Sequence, residues 1–363
     1  MRRISKPTLL LDKQKCLKNI ENMTRKASKH NLSFRPHFKT HQSKQIGEWF
    51  RDFGVNRITV SSVQMAKYFA DSGWNNITIA FPFNQLEIDE INDLAEKITL
   101  NLLLIHKESV EFLNKHLKHE VGVFIKIDSG YHRCGILTTN TQEIDELVNS
   151  ISSSAKLCLS GFLTHSGQTY HATSPKQVRA IHETATYNMN LLKKRYASQF
   201  PDAVISIGDT PSCSLSDSFD GIDEIRPGNF VFYDVMQFKH RICRSDQIVI
   251  ALACPIVSKN KQRNELIIYG GGVHLSKEFI THKDGSKNFG LVVQFSEKGW
   301  SDPLPGIHVS SISQEHGTIK GLFGQLEQFQ IGDLIGILPI HSCMTANLMG
   351  EYLTLDGEFL EHM

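Results

Sequence analysis

The sequence has few of the features that mark membrane, secreted or nucleic-acid-binding proteins. No apolar run approaches the roughly 20 residues needed to cross a bilayer. The first apolar run, Leu9-Leu10-Leu11, is shorter than the roughly 7–15 residues of a signal-peptide core. The 39 basic and 38 acidic residues leave a net charge of +1, without a basic footprint for nucleic acid or membrane. We therefore expect a cytoplasmic protein with neither kind of partner.

The cysteines form no CxxC pair and are too scattered for a disulfide framework. Their number is odd, and an odd, scattered set is typical of a reducing compartment. The chain has 363 residues, 40% of them hydrophobic and 21% charged, which suits a soluble protein of two domains. The seven cysteines are at positions 16, 134, 158, 213, 243, 254 and 343.

Short apolar segments alternate with amphipathic stretches between about residue 30 and residue 235. Several segments are rich in Val, Ile and Phe, as buried parallel strands are. Eight strands separated by helices predict an α/β fold, a TIM-type (β/α)8 barrel. The predicted strands are Leu32–Phe38, Arg57–Val60, Ile77–Phe81, Leu100–Ile105, Val121–Ile127, Leu157–Leu163, Ala203–Ile207 and Glu224–Tyr233. The predicted helices include Ser62–Ser72, Gln85–Lys97, Thr141–Ser152 and Pro175–Tyr196.

After Tyr233 the chain changes to strand-like segments joined by Gly, Asn, Asp and Pro turns, which predicts a mainly β domain. We place the barrel domain at residues 11–240 and the β domain at residues 241–363, with residues 1–10 joining the β domain. The predicted strands of the β domain are Gln247–Val257, Glu265–Tyr269, Leu291–Phe295, His308–Ser313 and Asp333–Ile337.

The chemistry of a (β/α)8 barrel sits at the C-terminal ends of its strands, and Lys39 directly follows the first predicted strand. A lysine there is a candidate for Schiff-base chemistry if burial or nearby cations lower the pKa of its amine. Arg35, Lys44 and the histidines at 37 and 41 could supply those cations. The alternative is an ordinary solvated lysine.

Two turns follow the seventh and eighth predicted strands, where barrels of this kind often bind phosphate. Gly208, Asp209 and Thr210 offer backbone N–H groups and a hydroxyl, which suit an anion. Gly228 and Asn229 lie in the second turn. Their joint placement predicts a phosphate site, with plain turns as the alternative.

The loops after the fifth and sixth strands carry two further candidates. Arg133 could donate to an anionic cofactor oxygen, with Asp128 orienting its neighbours, or could form a loop salt bridge. Tyr170 could stack on or hydrogen-bond to an aromatic cofactor ring, or could simply pack with a hydrated hydroxyl.

A pair of possible metal ligands, His341 and Cys343, comes just after a strand of the second domain. In an extended segment residues i and i+2 share a face, so the imidazole and thiolate can bind one ion. Two protein ligands leave open positions, as a catalytic metal requires. A chance HxC pair is the alternative.

These motifs together resemble the D-serine dehydratase/D-threonine aldolase family, the metal-dependent branch of the alanine-racemase-like (fold type III) pyridoxal-phosphate enzymes. The likeness spans nearly the whole chain. One departure is Gln168, where relatives often carry histidine in an HxGHxY pattern. The motifs, in order, are Pro36-His37-Phe38-Lys39-Thr40-His41, Asp128-Ser129-Gly130 with Arg133 and Gly135, Gly208-Asp209-Thr210-Pro211-Ser212, Arg226-Pro227-Gly228-Asn229-Phe230-Val231-Phe232-Tyr233-Asp234 and His341-Ser342-Cys343.

The resemblance implies pyridoxal 5'-phosphate as cofactor and Lys39 as its Schiff-base lysine. It implies that the backbone of 208–210 and 228–229 binds the phosphate, that Arg133 lies near the ring 3-oxygen and that Tyr170 lies near the pyridine nitrogen. It also makes His341 and Cys343 metal ligands and implies a homodimer.

The resemblance further implies a lyase acting on a small D-3-hydroxy amino acid. A soft thiolate at Cys343 favours Zn2+, whereas a carboxylate there would suit Mn2+ or Mg2+. This favours a D-serine dehydratase, which converts D-serine to pyruvate and ammonia. The alternatives are D-threonine aldolase-type cleavage, dehydration of 3-hydroxyaspartate, an amino-acid racemase and a non-catalytic pyridoxal-phosphate carrier.

Overall fold

The computed structural model describes residues 4–322 and 324–363. Residues 1–3 and 323 fall in the predicted β domain and lie outside the described residues. The described chain forms two compact units. The barrel unit contains Glu21–Lys39 and Gly47–Gly228. The β unit contains the described residues up to Ile20, Thr40–Ile46 and those of Asn229–Met363.

Eight parallel strands form the core of the barrel unit, as predicted. From the second strand on, each strand pairs with the next one along the chain, and the eighth pairs with the first. A parallel bridge between His37 and Thr59 links the first strand's continuation to the second strand and closes the ring. The strands are Ser33–Phe34, Ile58–Val60, Asn76–Pro82, Thr99–Leu104, Val121–Asp128, Leu157–Thr164, Val204–Ile207 and Glu224–Ile225, and the short strand Ile136–Leu137 pairs with the fifth.

Helices alternate with these strands along the chain. The longest, Pro175–Tyr196, begins where the Ser174 hydroxyl accepts from the Gln177 N–H and proline occupies the first turn. The helices before the last barrel strand are Lys13–Lys29, Lys44–Arg51, Val63–Ala70, Ile88–Ala95, Lys107–His116, Thr141–Ser152, Pro175–Tyr196 and Thr210–Leu215. Three further helices, Val235–Lys239, Gly272–Leu275 and Ser342–Met349, follow.

The first and eighth strands are shorter than predicted, ending at Phe34 and Ile225. In each case a proline, Pro36 or Pro227, follows within two residues and has no N–H to donate to a strand ladder. The chain then forms the 3-10 helices Phe38–Thr40 and Asn229–Val231. Lys39 and Asn229 are therefore presented on tight turns.

The β unit contains a nine-stranded sheet that is antiparallel except where Thr8–Leu11 pairs with Glu351–Thr354. The end strand Glu265–Tyr269 also pairs with Ile250–Asn260, so six of the strands close into a ring. The strand order is Glu265–Tyr269, His316–Lys320, His308–Ile312, Gly290–Val293, Leu334–Pro339, Ile250–Asn260, Thr8–Leu11, Glu351–Thr354 and Phe359–Glu361. Two short hairpins pair Ile280–Thr281 with Lys287–Asn288 and Phe295–Ser296 with Gly299–Trp300.

A chain of buried charged and polar groups crosses the barrel unit. Arg35 Nε donates to Glu224 Oε2 over 2.7 Å, and the Ser206 hydroxyl donates to Glu224 Oε1 over 2.7 Å. Arg226 Nε donates in turn to Ser206 Oγ over 2.7 Å. Arg35 is thus paired with Glu224 inside the barrel, and its supply of positive charge to Lys39 stays a prediction.

Glu224→Gln tests this buried chain, because it keeps the side-chain shape but leaves two buried guanidinium groups without their carboxylate. We expect the free energy of unfolding in urea to fall by about 3–5 kcal/mol. The control, Asp246→Asn, breaks an exposed pair with Arg244 and should cost at most about 1 kcal/mol. Equal losses in the two variants would contradict a buried pairing.

Candidate active site

The turn after the first strand holds Lys39 next to Phe38, whose ring is packed in the core. The ring of Phe38 is fully buried and lies 4.9–5.1 Å, centroid to centroid, from the rings of Phe50, Phe69 and Trp74. The Lys39 N–H donates to His37 Nδ1 over 3.4 Å. Because Phe38 points into the core, Lys39 next to it is exposed at the rim of the barrel.

Cationic groups from several barrel loops converge around His37. Burial lowers the pKa of His37 well below its ordinary value, and the charges of Lys39, Arg226 and Arg133 lower it further, as does His165. The structure therefore brings two predicted site residues, Lys39 and Arg133, into one electropositive region. Sequence reasoning missed Arg226 and His165, although both stand in motifs at strand ends.

His165 is held as a neutral imidazole. Its Nδ1 hydrogen-bonds to the carbonyl of Gly208, which can only accept, so Nδ1 carries the proton. Burial lowers the pKa of His165 to about 3, with the charges of Lys39 and Lys126 acting in the same direction. This contact joins the loop after the sixth strand to the turn after the seventh.

The loop after the fifth strand is folded around Asp128. Its Oδ1 accepts from the backbone N–H groups of Gly130, Tyr131 and His132 over 2.9–3.1 Å. Burial raises the pKa of Asp128, but hydrogen bonds from these N–H groups and the charge of His132 outweigh it and leave the pKa below its ordinary value. His132 Nδ1 lies 3.2 Å from Asp128 Oδ2, and the guanidinium of Arg133 lies 5.2 Å from the ring centre of Tyr131.

The turn after the seventh strand contains three predicted cofactor residues. Asp209 caps the helix Thr210–Leu215, because its Oδ1 accepts from the Ser212 N–H over 2.7 Å and from the Thr169 hydroxyl over 2.9 Å. Its carboxylate is therefore used within the protein. The Thr210 N–H donates to the Tyr170 hydroxyl over 3.2 Å, which brings Tyr170 to the same turn. Gly208 is required where it stands, since a Cβ there would lie 2.8 Å from Arg226 Cβ.

The amide of Gln168 lies between two of these loops. Its Nε2 donates to the carbonyl of Ser129 over 3.2 Å, and its buried Oε1 has no hydrogen-bond partner among the described residues. A residue that departs from the family pattern thus offers an unused acceptor next to the Asp128 loop.

In the β unit, the structure brings His341 and Cys343 together, but not on one strand as predicted. His341 is extended (φ −131°, ψ 104°) and caps the helix Ser342–Met349, so Cys343 lies in the first helical turn. Burial disfavours the imidazolium. The hydrogen bond and charge of Cys343, together with Asp234 and Glu278, nevertheless raise the pKa of His341 to about 9. The two side chains therefore share one polar site.

The segment after Gly228 supports this His341–Cys343 turn. Asp234 Oδ2 accepts from the Ser342 N–H over 3.1 Å and from Asn229 Nδ2 over 2.7 Å. Asn229 Nδ2 also lies 2.9 Å from Ser342 Oγ and 3.7 Å from Cys343 Sγ. Asp234 thus accepts the backbone N–H of Ser342 at the point where the extended segment ends and the helix begins. Sequence reasoning interpreted this motif only as a phosphate site and missed Asp234.

The residues present fit the groups that the motifs imply. An exposed lysine among cations of the barrel rim suits an anionic, lysine-bound cofactor. An imidazole with a thiolate suits Zn2+. Within residues 4–322 and 324–363, no three His, Cys, Asp or Glu side chains are grouped to hold a metal ion, so two protein ligands would leave open positions.

Two family models match the chain. The model described as "Alanine racemase, N-terminal domain" matches residues 11–235, and the one described as "Putative serine dehydratase domain" matches residues 250–355. The chain therefore belongs to the alanine racemase-like family, in the D-serine dehydratase branch that its motifs predict. Membership of this family implies pyridoxal 5'-phosphate as the cofactor.

Several similar proteins are named as dehydratases or aldolases, which supports a lyase. A D-serine dehydratase from Dictyostelium discoideum is 27% identical over 94% of this chain and 90% of its own length. The structure of D-threo-3-hydroxyaspartate dehydratase from Delftia sp. HT23 has a TM-score of 0.91 and 22% identity, covering 99% of this chain and 98% of that one. D-threonine aldolase from Filomicrobium marinum has a TM-score of 0.82 and 19% identity, covering 99% and 95%. These likenesses confirm the predicted fold.

No helix in the described part of the chain has both the length and the apolar character to span a bilayer. The seven cysteines are all free, in keeping with their scattered positions.

His41, from the lysine motif, gives a prediction for the pH dependence of stability. It is completely buried, and burial lowers its pKa to about 3, so the native protein resists a proton that the unfolded chain takes up below about pH 6.5. Stability should therefore fall with decreasing pH, by about 1.4 kcal/mol per pH unit between pH 6 and pH 4 from this group.

The measurement is urea denaturation as a function of pH. His41→Gln keeps an acceptor for the Ser43 N–H, which now donates to His41 Nδ1 over 3.1 Å, and should flatten the slope by about one proton. The exposed His106→Gln controls for loss of an imidazole. A slope that is unchanged in His41→Gln would rule out the buried, neutral state.

Proposed function

We propose that this protein is a pyridoxal-phosphate- and metal-dependent lyase of D-3-hydroxy amino acids, and foremost a D-serine dehydratase. The observation that carries the proposal is the convergence of Lys39 with Arg133, Arg226 and His165 at the ends of the barrel strands. A site of this kind attracts an anionic cofactor and an amino acid carboxylate. The D-serine dehydratase of Dictyostelium, 27% identical over nearly the full length, supports the choice of substrate.

In this proposal the cofactor is bound by the residues predicted from the sequence. Lys39 would bind it covalently, Arg133 would lie near the ring 3-oxygen, and Tyr170 near the pyridine nitrogen. The backbone of Gly208, Asp209 and Thr210, with that of Gly228 and Asn229, would bind the phosphate. The contact of the Tyr170 hydroxyl with the Thr210 N–H supports a common role for the Tyr170 loop and this turn. When bound, the cofactor supplies an electron sink for negative charge at the substrate Cα.

The protein's own groups would handle the proton and orient the substrate. The Lys39 amine, when it is not bound to the cofactor, would be the base that takes the proton from Cα. Arg133 and Arg226, whose charges act on His37 together with that of Lys39, would favour a neutral amine able to accept a proton. His165 stays neutral and, with Nδ1 donating to Gly208, can only accept at Nε2. Overall, D-serine yields pyruvate and ammonia.

His341 and Cys343 would hold the metal, which we propose to be Zn2+. When bound, such an ion supplies Lewis-acid polarisation of the β-hydroxyl oxygen. Asp234 and Asn229 would orient this pair of ligands through the hydrogen bonds described above. A cysteine-to-alanine variant of the Delftia dehydratase was solved in the metal-free form, which supports a metal role for the cysteine here.

The second candidate substrate is a 3-hydroxyaspartate. The Delftia dehydratase that acts on D-threo-3-hydroxyaspartate has the same fold over 99% of this chain. The cations at the barrel rim would suit a second carboxylate. Retro-aldol cleavage of D-threonine is less favoured because a thiolate ligand suits Zn2+, whose Lewis acidity helps hydroxide to leave. Racemase and carrier functions would leave the His341–Cys343 pair unexplained.

We further propose that the protein is a cytoplasmic homodimer. We also retain the division into a barrel domain, residues 11–240, and a β domain, residues 241–363 with 1–10. The nearly balanced charge and free cysteines support the compartment.

The decisive experiment measures pyruvate released from D-serine by the purified protein, with a scan of its visible absorbance. We expect pyruvate formation that stops after chelation and returns with Zn2+. Lys39→Ala should abolish both the absorbance band and activity. Cofactor absorbance without pyruvate would move the proposal to hydroxyaspartate or D-threonine, which are assayed in parallel. Absence of the band even after added cofactor would refute the role of Lys39.

Cys343→Ala tests the metal site separately. Loss of the thiolate leaves one protein ligand, so we expect the zinc content of the purified protein to fall from about one per chain to near zero. The D-serine activity should fall with it, while the cofactor absorbance band remains. The matched control is Cys254→Ala, at a buried cysteine of the same unit. A variant that keeps both metal and turnover would exclude Cys343 as a ligand.

A further inference from the structure

The sulfur of Cys343 has two polar neighbours from distant parts of the sequence. Thr40 Oγ1 lies 3.3 Å from Sγ and Asn229 Nδ2 lies 3.7 Å from it. Thr40 is fully buried and Asn229 is 6% exposed, whereas Cys343 itself is partly exposed. All three residues belong to the β unit.

Both neighbours can donate to a thiolate, and Asn229 Nδ2 shares its second N–H between Cys343 Sγ and Ser342 Oγ, which lies 2.9 Å away. The orientation of the Asn229 amide is fixed, because Asp234 Oδ2 accepts from its Nδ2 over 2.7 Å. The nitrogen, not the oxygen, therefore faces the sulfur. A metal-bound thiolate has no proton and can only accept, so the Thr40 hydroxyl must then donate to it as well. Two donors would fix the position of the sulfur and reduce its excess negative charge.

These donors stand next to residues that we assign to the cofactor. Thr40 directly follows Lys39 and is the last residue of the turn Phe38–Thr40. Asn229 directly follows Gly228 and begins the turn Asn229–Val231. Both turns are single, tight 3-10 helices, in which neighbouring residues cannot move independently. A metal that fixes the position of the sulfur therefore also fixes these two short turns. The turns contain Lys39 and Asn229, which we assign to the cofactor.

We propose that Thr40 is a positioning residue for Cys343 and that, through the peptide bond joining Thr40 to Lys39, metal binding and cofactor binding strengthen each other. The inference rests on the proposed function. A metal that orders the turn in advance spares the cofactor part of the ordering cost. Because coupling between two sites is reciprocal, the cofactor must raise the metal affinity by the same factor.

The test compares the full-length protein with Thr40→Val, which keeps the side-chain shape and removes the hydroxyl. Cofactor and metal are removed with hydroxylamine and a chelator. Pyridoxal phosphate is then titrated by absorbance, with a chelator or with buffered Zn2+. In the wild type we expect Zn2+ to tighten cofactor binding at least about 5-fold. In Thr40→Val this ratio should fall to about 1, and Zn2+ affinity should fall roughly 10-fold.

Two further variants separate positioning from general damage. Thr40→Ser keeps the hydroxyl and should restore both the coupling and the Zn2+ affinity. Thr354→Val removes a buried hydroxyl elsewhere in the β unit, one that accepts from the Glu358 N–H, and should behave as wild type. Substitution with Co2+ gives a readout independent of activity, since the intensity and energy of the sulfur-to-cobalt absorption should change in Thr40→Val and not in Thr354→Val.

The outcomes distinguish this inference from the proposed function. Wild-type protein that binds both ligands without coupling, or Thr40→Val with an unchanged ratio and cobalt spectrum, overturns the inference and leaves the proposed function standing. Wild-type protein that binds no Zn2+ overturns both. Wild-type coupling that is lost in Thr40→Val and restored in Thr40→Ser supports the inference.

Discussion

The structure depends on one geometric constraint: parallel strands that close into a ring carry all their C-terminal ends to one rim. The His37–Thr59 bridge completes that ring, so loops far apart in sequence become neighbours. Three of these loops supply Lys39, Arg133 and Arg226, whose charges lower the pKa of His37. A cluster of positive charge is costly to assemble without an anion, and this barrel concentrates it where its strands end. The closure of the fold thus brings these positive charges together at one rim.

Two titratable side chains at the rim, Asp128 and His165, have their charge states fixed in opposite ways. Asp128 is kept ionised by backbone N–H donors, whereas His165 is kept neutral by burial and surrounding cations. Neither residue needs a mobile partner to hold its state. The loops that they organise therefore present Arg133 and the Gly208 turn in a fixed electrostatic setting, which is what a cofactor site requires.

The sequence predicted the bounds of a helix correctly where the residues at its ends determine them. Thr141–Ser152 and Pro175–Tyr196 were predicted to the residue, because Asn140 and Ser174 cap them and proline starts the second. The first and eighth strands were predicted too long because apolar character continued past Pro36 and Pro227. Cys343 was predicted on an extended segment because no nearby residue in the sequence indicates the contact that starts the helix. In that contact the Asp234 carboxylate accepts from the Ser342 N–H.

The candidate site was predictable in part for the same reason. Strand ends located Lys39, Arg133 and the Gly208 turn, since barrel topology follows from the alternating pattern. The contacts that support the ligands were not predictable, because their partners are far apart: Asn229 and Cys343 are separated by 114 residues. Such pairs leave no periodic pattern in one sequence. The five ordered motifs identified the family, but they did not reveal that the side chain of Asn229 contacts Cys343.

The first strand of the β unit has a consequence for how the chain folds during synthesis. Leu9, Leu10 and Leu11 are almost completely buried, and their strand pairs with Ile250–Asn260 and with Glu351–Thr354. At about 5–20 residues per second, a ribosome needs roughly 12–50 seconds to reach the first of these partners. Throughout that time the three leucines have no strand to pair with, while the eight barrel strands are being synthesised. The barrel can therefore fold first, whereas the apolar strand Thr8–Leu11 stays exposed until the two strands that cover its edges are synthesised.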